Sequence, residues 1–284
     1  MKSKEGINVL SLFDGMSCGQ IALERARIKV SDYFASEIKK HAIKVTQDNF
    51  PKTRQVGTVE FVTDGMFLNH KIDLLIGGSP CQDLTIINQK QGGLNGKKSR
   101  LFYEYLRVLK EVKPKYFLLE NVASMKNIDK NIITDLLGVE PIMINSELLS
   151  GQHRRRYYWT NIPNIQQPKD KGILLKDVIK YGSEPEEKMS EKKIAFIERK
   201  KETMYIRVDG EKSLPITARG YSSWNTQFVT DECGIRDLTI NEYKKLQTIP
   251  LDYKMDIIKS KATDLIGDGW TIDVIAHIFK NMKF

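Results

Sequence analysis

The chain has 284 residues, 40% of them hydrophobic, and this length and composition predict a globular protein with a substantial core. Its 45 Lys and Arg residues exceed its 36 Asp and Glu residues, and the resulting formal net charge of +9 permits nucleic-acid binding without requiring it. A charged N-terminus and the lack of an apolar run of about 18 residues argue against a secretion signal or a membrane span, so we expect a cytoplasmic protein.

Cysteine usage bears on metal and disulfide chemistry. The three cysteines, Cys18, Cys81 and Cys233, are an odd number at wide spacing. This pattern favours neither a disulfide framework nor a zinc site, and we expect no bound metal.

Short apolar runs alternate with helical patterns over the first 140 residues. Strands are predicted at residues 7–13, 32–36, 72–78 and 115–121, and helices at residues 21–28, before Pro51 and at residues 99–112. Near-continuous apolar strands separated by helices predict an α/β fold with a mostly parallel sheet covered on both faces.

Ligands of such sheets bind at the carboxyl ends of the strands, so the loops that follow the four predicted strands are expected at one edge. The first loop, FDGMSCG, has two glycines beside a helix N-terminus, where backbone can approach a ligand closely. Glu37 follows the second strand, where an acidic side chain can accept hydrogen bonds from a ribose; a solvated surface glutamate is the alternative. Cys81 follows the third strand, and Glu120 and Asn121 end the fourth.

Two of these segments allow two interpretations. In GGSPCQDLT, Cys81 is either a small apolar turn residue or a nucleophile that needs partners elsewhere in the chain. The run His153-Arg154-Arg155-Arg156 is either a solvated, phosphate-binding surface or part of a site.

Residues from about 162 to 235 break the alternating pattern. They contain three prolines, a charged helix-like stretch at 186–201 and β-like stretches at 204–210 and 216–229, and a last helix is predicted at 270–281. A polar and aromatic cluster within this interval is of the kind that reads base edges or fills a gap in an opened duplex, and a turn-rich loop is the alternative. The cluster comprises Thr217, Arg219, Tyr221, Ser222, Trp224 and Asn225.

In their order along the chain, these segments resemble the carbon-5 cytosine DNA methyltransferases. FDGMSCG is similar to the S-adenosylmethionine loop of that family, SPCQDLT to its nucleophile loop, LLENV to its glutamate motif and QHRRR to its Q-x-R-x-R motif. Residues 236–250 match R-x-L-T-x-x-E-x-x-x-L-Q-x-x-P, and IGDGWTIDVIAHIF resembles the closing helix motif. Ser79 before Pro80, and Trp270, are closer to the animal de novo enzymes than to the usual bacterial pattern, although we expect a bacterial or phage member.

Two positions depart from the family pattern. Where the family often has an Asp for the adenine amino group of the cofactor, this chain has Gly57-Thr58-Val59, so that contact is either lost or made by a backbone group. Asp268 stands at the usual Asn position of the closing motif.

The resemblance implies a Rossmann-like S-adenosylmethionine-dependent methyltransferase fold with a small target-recognition domain. The implied domains are a catalytic domain at 1–161, a target-recognition region at 162–235 and a segment at 236–284 that returns to the catalytic domain. The implied function is methylation of carbon-5 of cytosine in double-stranded DNA, with S-adenosyl-L-methionine as methyl donor. The reaction would pass through a covalent adduct of Cys81 with carbon-6 of a flipped-out base.

Each chemical role falls on a matching residue. Cys81 is the thiolate nucleophile, and Glu120, held protonated, faces the ring nitrogen N3. Arg154 and Arg156 hold the cytosine carbonyl oxygen, and Asn121 fixes the loop. The implied cofactor-binding residues are Phe13, Asp14, Gly15, Met16, Ser17, Cys18, Gly19, Glu37, Ile38, Thr58, Val59, Pro80 and Leu101. In addition to the cluster at 217–225, the expected DNA contacts are Ser79, Gln82, Lys97, Lys98 and Arg100, the last three in a glycine-rich segment that resembles a lid.

Two alternatives stay open from the sequence. A transfer-RNA cytosine methyltransferase shares the Cys, Glu and Arg motifs, but typically has two prolines before the Cys and a Phe-Thr pair soon after it; here Ser79 and Asp83-Leu84 favour DNA. A non-catalytic regulatory homologue would lack one or more of the residues that carry the chemistry. All five of them are present here: Cys81, Glu120, Asn121, Arg154 and Arg156. The expected partner is duplex DNA, with a cognate restriction endonuclease as a candidate protein partner.

Overall fold

The computed structural model describes residues 6–80, 84, 93–96, 99–182, 189–203, 205–220, 222–232 and 234–284. The chain divides into two compact units. Unit 1 contains the described residues of Met1–Ile144, Arg155–Gln167 and Ile275–Phe284, and unit 2 contains those of Asn145–Arg154 and Pro168–Val274. Among the helices of the described residues, none combines the length and the apolar character that crossing a membrane requires.

Unit 1 is built on a seven-stranded sheet with the order β3-β2-β1-β4-β5-β7-β6. Its strands are β1 (Ile7–Leu12), β2 (Val30–Ser36), β3 (Arg54–Gln55), β4 (Leu74–Gly78), β5 (Tyr116–Val122), β6 (Ile142–Asn145) and β7 (Arg155–Thr160). Its helices are α1 (Cys18–Arg25), α2 (Lys40–Asn49), α3 (Leu101–Val112) and α4 (Asn127–Leu137). The β3-β2-β1-β4-β5 pairs are parallel and β7 is antiparallel to β5, so the predicted α/β class with a mostly parallel sheet is confirmed.

Burial on both faces explains the apolar strand sequences. All six residues of β1 and all seven of β5 are buried, and strands buried on both faces need apolar residues without alternation. The core cluster joins Leu10 of β1, Leu75 of β4 and Leu119 of β5 to Phe102 and Tyr105 of α3. The predicted apolar face of α3 therefore packs on the sheet, as its helical spacing indicated.

Unit 2 contains a three-stranded sheet with the order β10-β9-β8. Its elements are α5 (Leu175–Val178), α6 (Glu191–Lys200), β8 (Arg207–Val208), β9 (Gln227–Asp231), β10 (Gly234–Asp237), α7 (Ile240–Leu246) and α8 (Lys259–Asp268). The last helix, α9 (Ile272–Phe279), begins in unit 2 and ends in unit 1. Ile197, Ile206 and Phe228 form a small core of their own in unit 2.

The R-x-L-T-x-x-E segment is explained by the start of α7. Thr239 caps this helix by accepting a hydrogen bond from the backbone N–H of Glu242, whose carboxylate accepts one from the backbone N–H of Thr239 at 2.8 Å. This reciprocal arrangement satisfies two backbone donors at the helix start. Arg236 then pairs with Glu242 at 2.9 Å and with Asp231 at 2.6 Å, and all three side chains are almost fully buried.

One predicted element is wrong. Residues 216–226 were expected to be β-like, but the described part of this stretch forms turns and β9 begins only at Gln227. Side-chain hydrogen bonds favour the turn, because the Ser223 hydroxyl accepts from the backbone N–H of Asn225 at 2.9 Å.

The predicted closing segment, 236–284, is divided between the units: Ile275–Phe284 belong to unit 1 and the preceding residues to unit 2.

Candidate active site

The loop between β1 and α1 has an unusual backbone. Phe13, Gly15 and Ser17 all have positive φ, close to +60°, a conformation that costs energy in residues other than glycine. A Cβ on Gly15 would meet no atom within 4 Å, so open space lies beside its backbone. A Cβ on Gly19 would instead lie 2.3 Å from Cδ1 of Ile76, so a side chain there would require Ile76 to move.

Asp14 is the buried acid at the centre of this loop. Its carboxylate accepts hydrogen bonds from the hydroxyl of Ser17 and, at 2.8 Å, from that of Tyr33. Burial raises the pKa of Asp14 to about 6, and the nearby charge of Glu37 adds to the rise, while hydrogen bonds from Ser17, Ser11 and Tyr33 oppose it. Asp14 thus links the loop to β2 through a carboxyl that titrates near neutral pH.

Glu37 joins the loops that follow β1 and β2. Its Oε2 accepts the backbone N–H of Gly15 at 2.8 Å, and its Oε1 accepts those of Ile38 and Lys39 at 2.7 and 2.8 Å. A carboxylate has about four acceptor positions, so three bonds leave Glu37 with capacity for another donor.

The remaining predicted cofactor residues differ in their exposure to solvent. Ile38 is 71% exposed, whereas Met16, Cys18 and Val59 are buried. Thr58, Pro80 and Leu101 are partly buried.

Arg107 of α3, which the sequence did not single out, holds the turn that contains Val59. Its guanidinium donates to the carbonyl oxygens of Val59 at 3.0 Å and Val62 at 2.8 Å. The sequence carried no signal for this role, because Arg107 looks like an ordinary helix-surface residue beside Glu104 and Glu111.

Ser79 and Pro80 lead directly to Cys81. Asn121 at the end of β5 donates from Nδ2 to the carbonyl and hydroxyl oxygens of Ser79, both at 3.1 Å. The hydroxyl of Ser99 donates to the carbonyl of Pro80 at 3.3 Å. Five predicted site residues, Cys81, Gln82, Lys97, Lys98 and Tyr221, lie outside the described part of the chain.

Glu120 and Arg156 come together at the carboxyl edge of the sheet. Nε of Arg156 lies 2.8 Å from Oε1 of Glu120, and both side chains are mostly buried. Glu120 pairs with Gly78 of β4, three residues before Cys81 along the chain. The sheet therefore places a carboxylate and a guanidinium beside the strand that leads to the cysteine.

The three arginines of the Q-x-R-x-R segment have three different environments. Arg154 is buried in unit 2, where its guanidinium donates to the carbonyl oxygens of Ile216 at 2.7 Å, Gly267 at 3.0 Å and Gly269 at 2.9 Å. Arg155 is exposed and Arg156 contacts Glu120. Of the two arginines predicted for the site, Arg156 lies beside Glu120 within unit 1, and Arg154 belongs to unit 2.

The predicted DNA-reading residues of unit 2 lie in its exposed turn. Thr217, Arg219, Ser222, Trp224 and Asn225 are all exposed. The Trp224 ring contacts that of Phe196 edge to face, with 5.3 Å between centroids. In unit 1, Ser79 is buried and Arg100 is exposed at the start of α3.

Helix α8 supports the same turn. A Cβ on Gly267 would lie 2.2 Å from the carbonyl carbon of Thr217, so the helix and the turn touch through backbone. The position of Thr217 therefore depends on a glycine some fifty residues further along the chain.

Comparisons with known proteins agree on one family. The model of the family described as C-5 cytosine-specific DNA methylase matches residues 7–139 and 130–284. The Type II methyltransferase M.HpaII of Haemophilus parainfluenzae is 25% identical over 96% of this chain and 88% of its own length. The orphan methyltransferase M.Rho11sI of Bacillus phage rho11s is 29% identical over 67% of this chain, and the match spans only 40% of that protein.

A solved structure shares the fold along the whole chain. The methyltransferase EhMeth of Entamoeba histolytica superposes with a TM-score of 0.77 over 99% of this chain and 100% of its own, at 19% identity. This likeness and the seven-stranded sheet establish the Rossmann-like fold of S-adenosylmethionine-dependent methyltransferases. With a family match from residue 7 to residue 284, the chain belongs to the C-5 cytosine-specific DNA methylases.

Proposed function

We propose that this protein methylates carbon-5 of cytosine in double-stranded DNA, with S-adenosylmethionine as methyl donor and Cys81 as covalent nucleophile. The observation that carries the proposal is the Glu120–Arg156 pair at the carboxyl edge of the sheet, 2.8 Å apart. Beside it, Asn121 holds Ser79, two residues before Cys81. Family membership supports the same chemistry.

The reaction needs a nucleophile and an acid because carbon-5 of cytosine is itself a poor nucleophile. The Cys81 thiolate forms a bond with carbon-6, the ring electrons move toward N3, and Glu120 delivers a proton there. S-adenosylmethionine supplies the methyl group that carbon-5 then gains. A base, water in our proposal, removes the proton from carbon-5, the double bond between carbon-5 and carbon-6 re-forms, and the carbon–sulfur bond breaks to release the Cys81 thiolate. N3 returns its proton to Glu120.

Arg156 orients Glu120 and donates to the carbonyl oxygen of the cytosine. We assign this contact to Arg156 rather than to Arg154, because the guanidinium of Arg154 donates to three carbonyl oxygens of unit 2. Arg154 in our proposal supports the turn at Ile216, a role that differs from its expected contact with the base.

The loops of unit 1 fit the cofactor. Open space beside Gly15 leaves room for the methionine part, and Glu37 retains acceptor capacity for a ribose hydroxyl. The exposed Ile38, with Val59 and Leu101, would supply apolar walls for the cofactor, and Phe13 would contact its adenine. The missing Asp at Gly57-Thr58-Val59 leaves the adenine amino group to a backbone acceptor.

The target base must leave the duplex, because stacked neighbours cover the face of its ring. Flipping costs a few kcal/mol, which contacts to the opened DNA offset. The exposed turn at 217–225 in unit 2 is our candidate for these contacts and for target recognition.

Covalent trapping tests the proposal. Duplexes of random sequence that contain 5-fluorocytosine are incubated with the protein and S-adenosylmethionine, beside an RNA pool with the same base. After methylation the fluorine on carbon-5 cannot leave as a cation, so elimination is blocked and the protein–DNA thioether should survive denaturing electrophoresis. The adduct should require the cofactor and disappear in Cys81→Ser, while Cys233→Ser serves as the matched control and should still form it.

Each other outcome contradicts part of the proposal. An adduct on RNA alone would overturn the substrate and keep the mechanism. The absence of any adduct in a protein that binds S-adenosylmethionine would favour a non-catalytic role. An adduct that persists in Cys81→Ser would exclude Cys81 as the nucleophile.

A further inference from the structure

We infer that Lys126, Lys130 and Arg155 of unit 1 form a surface, here called the basic edge, that binds phosphates of the duplex flanking the target cytosine. The inference rests on the proposed function and adds residues to which the family motifs assign no chemical role. Lys126 and Arg155 are exposed, and Lys130 is partly exposed.

The basic edge lies at the same end of the sheet as Glu120. In the β5–β7 pair, Val122 stands opposite Arg156, and the carbonyl of Arg155 accepts the backbone N–H of Ala123 at 3.4 Å. Arg155 is therefore about three residues beyond Glu120 along the strand, or roughly 10 Å at the rise of a β-strand. In our proposal a phosphate that flanks the flipped base contacts Arg155 over this distance.

The two lysines stand at the end of α4 where positive charge is least favourable. Lys126 is the residue that precedes the helix, and Lys130 donates its backbone N–H to the carbonyl of Lys126 at 3.1 Å, one turn later. Cations at a helix N-terminus oppose the helix dipole, and like charges four residues apart repel each other. The helix dipole disfavours both charges, whereas a bound polyanion would neutralise them.

The neighbouring side chains keep the surface basic. Asp129, the acid in the first turn of α4, is buried, and its carboxylate accepts the backbone N–H of Leu94 at 3.0 Å, so its charge is directed inward. The Lys130 ammonium lies 5.7 Å from the centre of the Tyr157 ring, which positions it over β7. Among the described residues, no carboxylate forms an ion pair with Lys126, Lys130 or Arg155.

Of the three arginines in this segment, Arg155 is the one whose side chain is exposed. Arg155 and Arg156 are the first two residues of β7, so their side chains point to opposite faces of the strand, and Arg156 contacts Glu120. Arg154, which precedes β7, donates to backbone carbonyl oxygens. Three cations on one edge suit the phosphodiester backbone, whose contacts position a duplex without reading its sequence.

The salt dependence of DNA binding tests the basic edge. Affinity of a duplex is measured by fluorescence anisotropy over a range of salt concentrations for the wild type and for Lys126→Gln/Arg155→Gln. Because each phosphate contact contributes about 0.9 to the slope of log Kd against log salt, the double variant should lose about 2 in slope. Adding Lys130→Gln should remove about 1 more, and Arg155→Gln alone should remove about 1.

The matched control is Lys110→Gln/Lys113→Gln. It removes the same charge from the last turn of α3 and the residue after it, just before β5 begins at the opposite edge of the sheet. Its slope should equal that of the wild type. Affinity for S-adenosylmethionine, measured by calorimetry, shows that each variant is folded.

The outcomes separate the two proposals. If the wild type neither binds nor methylates duplex DNA, the proposed function fails. If it does both, and the basic-edge variants show the same salt-dependence slope as the control, the basic edge does not bind phosphates and the inference is wrong. If the wild type binds structured RNA more tightly than duplex, and the same variants lose that binding, the duplex assignment falls.

Discussion

Glu120 is the side chain to which our mechanism assigns proton transfer to the base. It sits at the end of a fully buried strand with Arg156 at 2.8 Å, and in our mechanism it delivers a proton to N3. Glu120→Gln keeps the shape and removes the acid, so single-turnover methylation at saturating DNA should slow by roughly 100-fold or more. Glu140→Gln, an exposed position after α4, should leave the rate unchanged, and equal rates for the two variants would exclude the role of Glu120.

Asp14 makes stability depend on pH. Its pKa is raised from 3.8 to about 6 in the folded protein, so the folded state binds more protons than the unfolded state between these values. The contribution of Asp14 to the free energy of unfolding should therefore fall as pH rises from 4 to 6 and stay constant at higher pH. The total decrease should be up to about 3 kcal/mol.

Asp14→Asn isolates this contribution because an amide does not titrate. The free energy of unfolding of the variant minus that of the wild type, from urea titrations, should increase by up to about 3 kcal/mol between pH 4 and pH 7. A difference that stays constant over this range would show that the Asp14 pKa is not raised.

The chemical side chains could be predicted from the sequence because they follow recognisable strands. Glu120 and Asn121 end an apolar run, so a parallel sheet places them on the same edge as the loop after β4. The different environments of Arg154 and Arg156 could not be predicted from their spacing. Arg154 precedes β7 and belongs to unit 2, whereas Arg156 is the second residue of β7 and belongs to unit 1.

The contact between α1 and the sheet governs the cofactor loop. A Cβ at residue 19 would lie 2.3 Å from Cδ1 of Ile76 and 2.8 Å from the hydroxyl of Tyr33, the group that donates to Asp14. Gly19→Ala should therefore destabilise the protein by about 1–3 kcal/mol in urea titrations, as overpacking does. It should also weaken S-adenosylmethionine binding in calorimetry, because the loop after β1 must shift.

Gly65→Ala provides the matched control for this substitution. A Cβ there would meet only Oγ1 of Thr63, at 3.8 Å, which is an ordinary contact. Its stability and cofactor affinity should match the wild type. If Gly19→Ala were equally neutral, the close packing of α1 would not determine the shape of the loop.

Elements with strong periodic patterns were predictable and short ones were not. The apolar spacing of α3 gave its position because one helix face packs on the sheet. Strand β3 has only two residues, and such a strand has no period to detect. The turn at 216–226 was mistaken for a strand because its Thr, Tyr and Trp favour strands, whereas local hydrogen bonds at Ser223 determined its structure.

At the scale of the whole molecule, the residues proposed for chemistry and those proposed for recognition belong to different units. The described cofactor residues, Glu120, Asn121 and Arg156 lie in unit 1, and the turn at 217–225 lies in unit 2. The boundary between Arg154 and Arg155 falls inside one motif, so no change in composition marks it. Units that take separate stretches of one chain are defined by contacts in space, which a sequence pattern does not contain.

This division predicts that target choice and chemistry respond to different substitutions. Replacing residues 221–225 with the equivalent loop of a relative should change which cytosines are methylated while the protein stays active. Trp224→Ala should broaden or shift the target sequence, because its ring is exposed and contacts the Phe196 ring with 5.3 Å between centroids. Tyr181→Ala, which removes another exposed aromatic ring of unit 2, is the matched control and should keep the target sequence of the wild type.

Bisulfite sequencing of a random duplex pool measures all of these outcomes together. For each methylated cytosine the flanking bases are tallied, so a change in recognition appears as a change in sequence context and a change in chemistry as a uniform loss of methylation. Glu120→Gln should lower methylation in every context equally, because the acid acts on the base after recognition. If the loop exchange and Trp224→Ala leave the context of the wild type intact, recognition lies outside the turn at 217–225, and the proposed role of unit 2 is wrong.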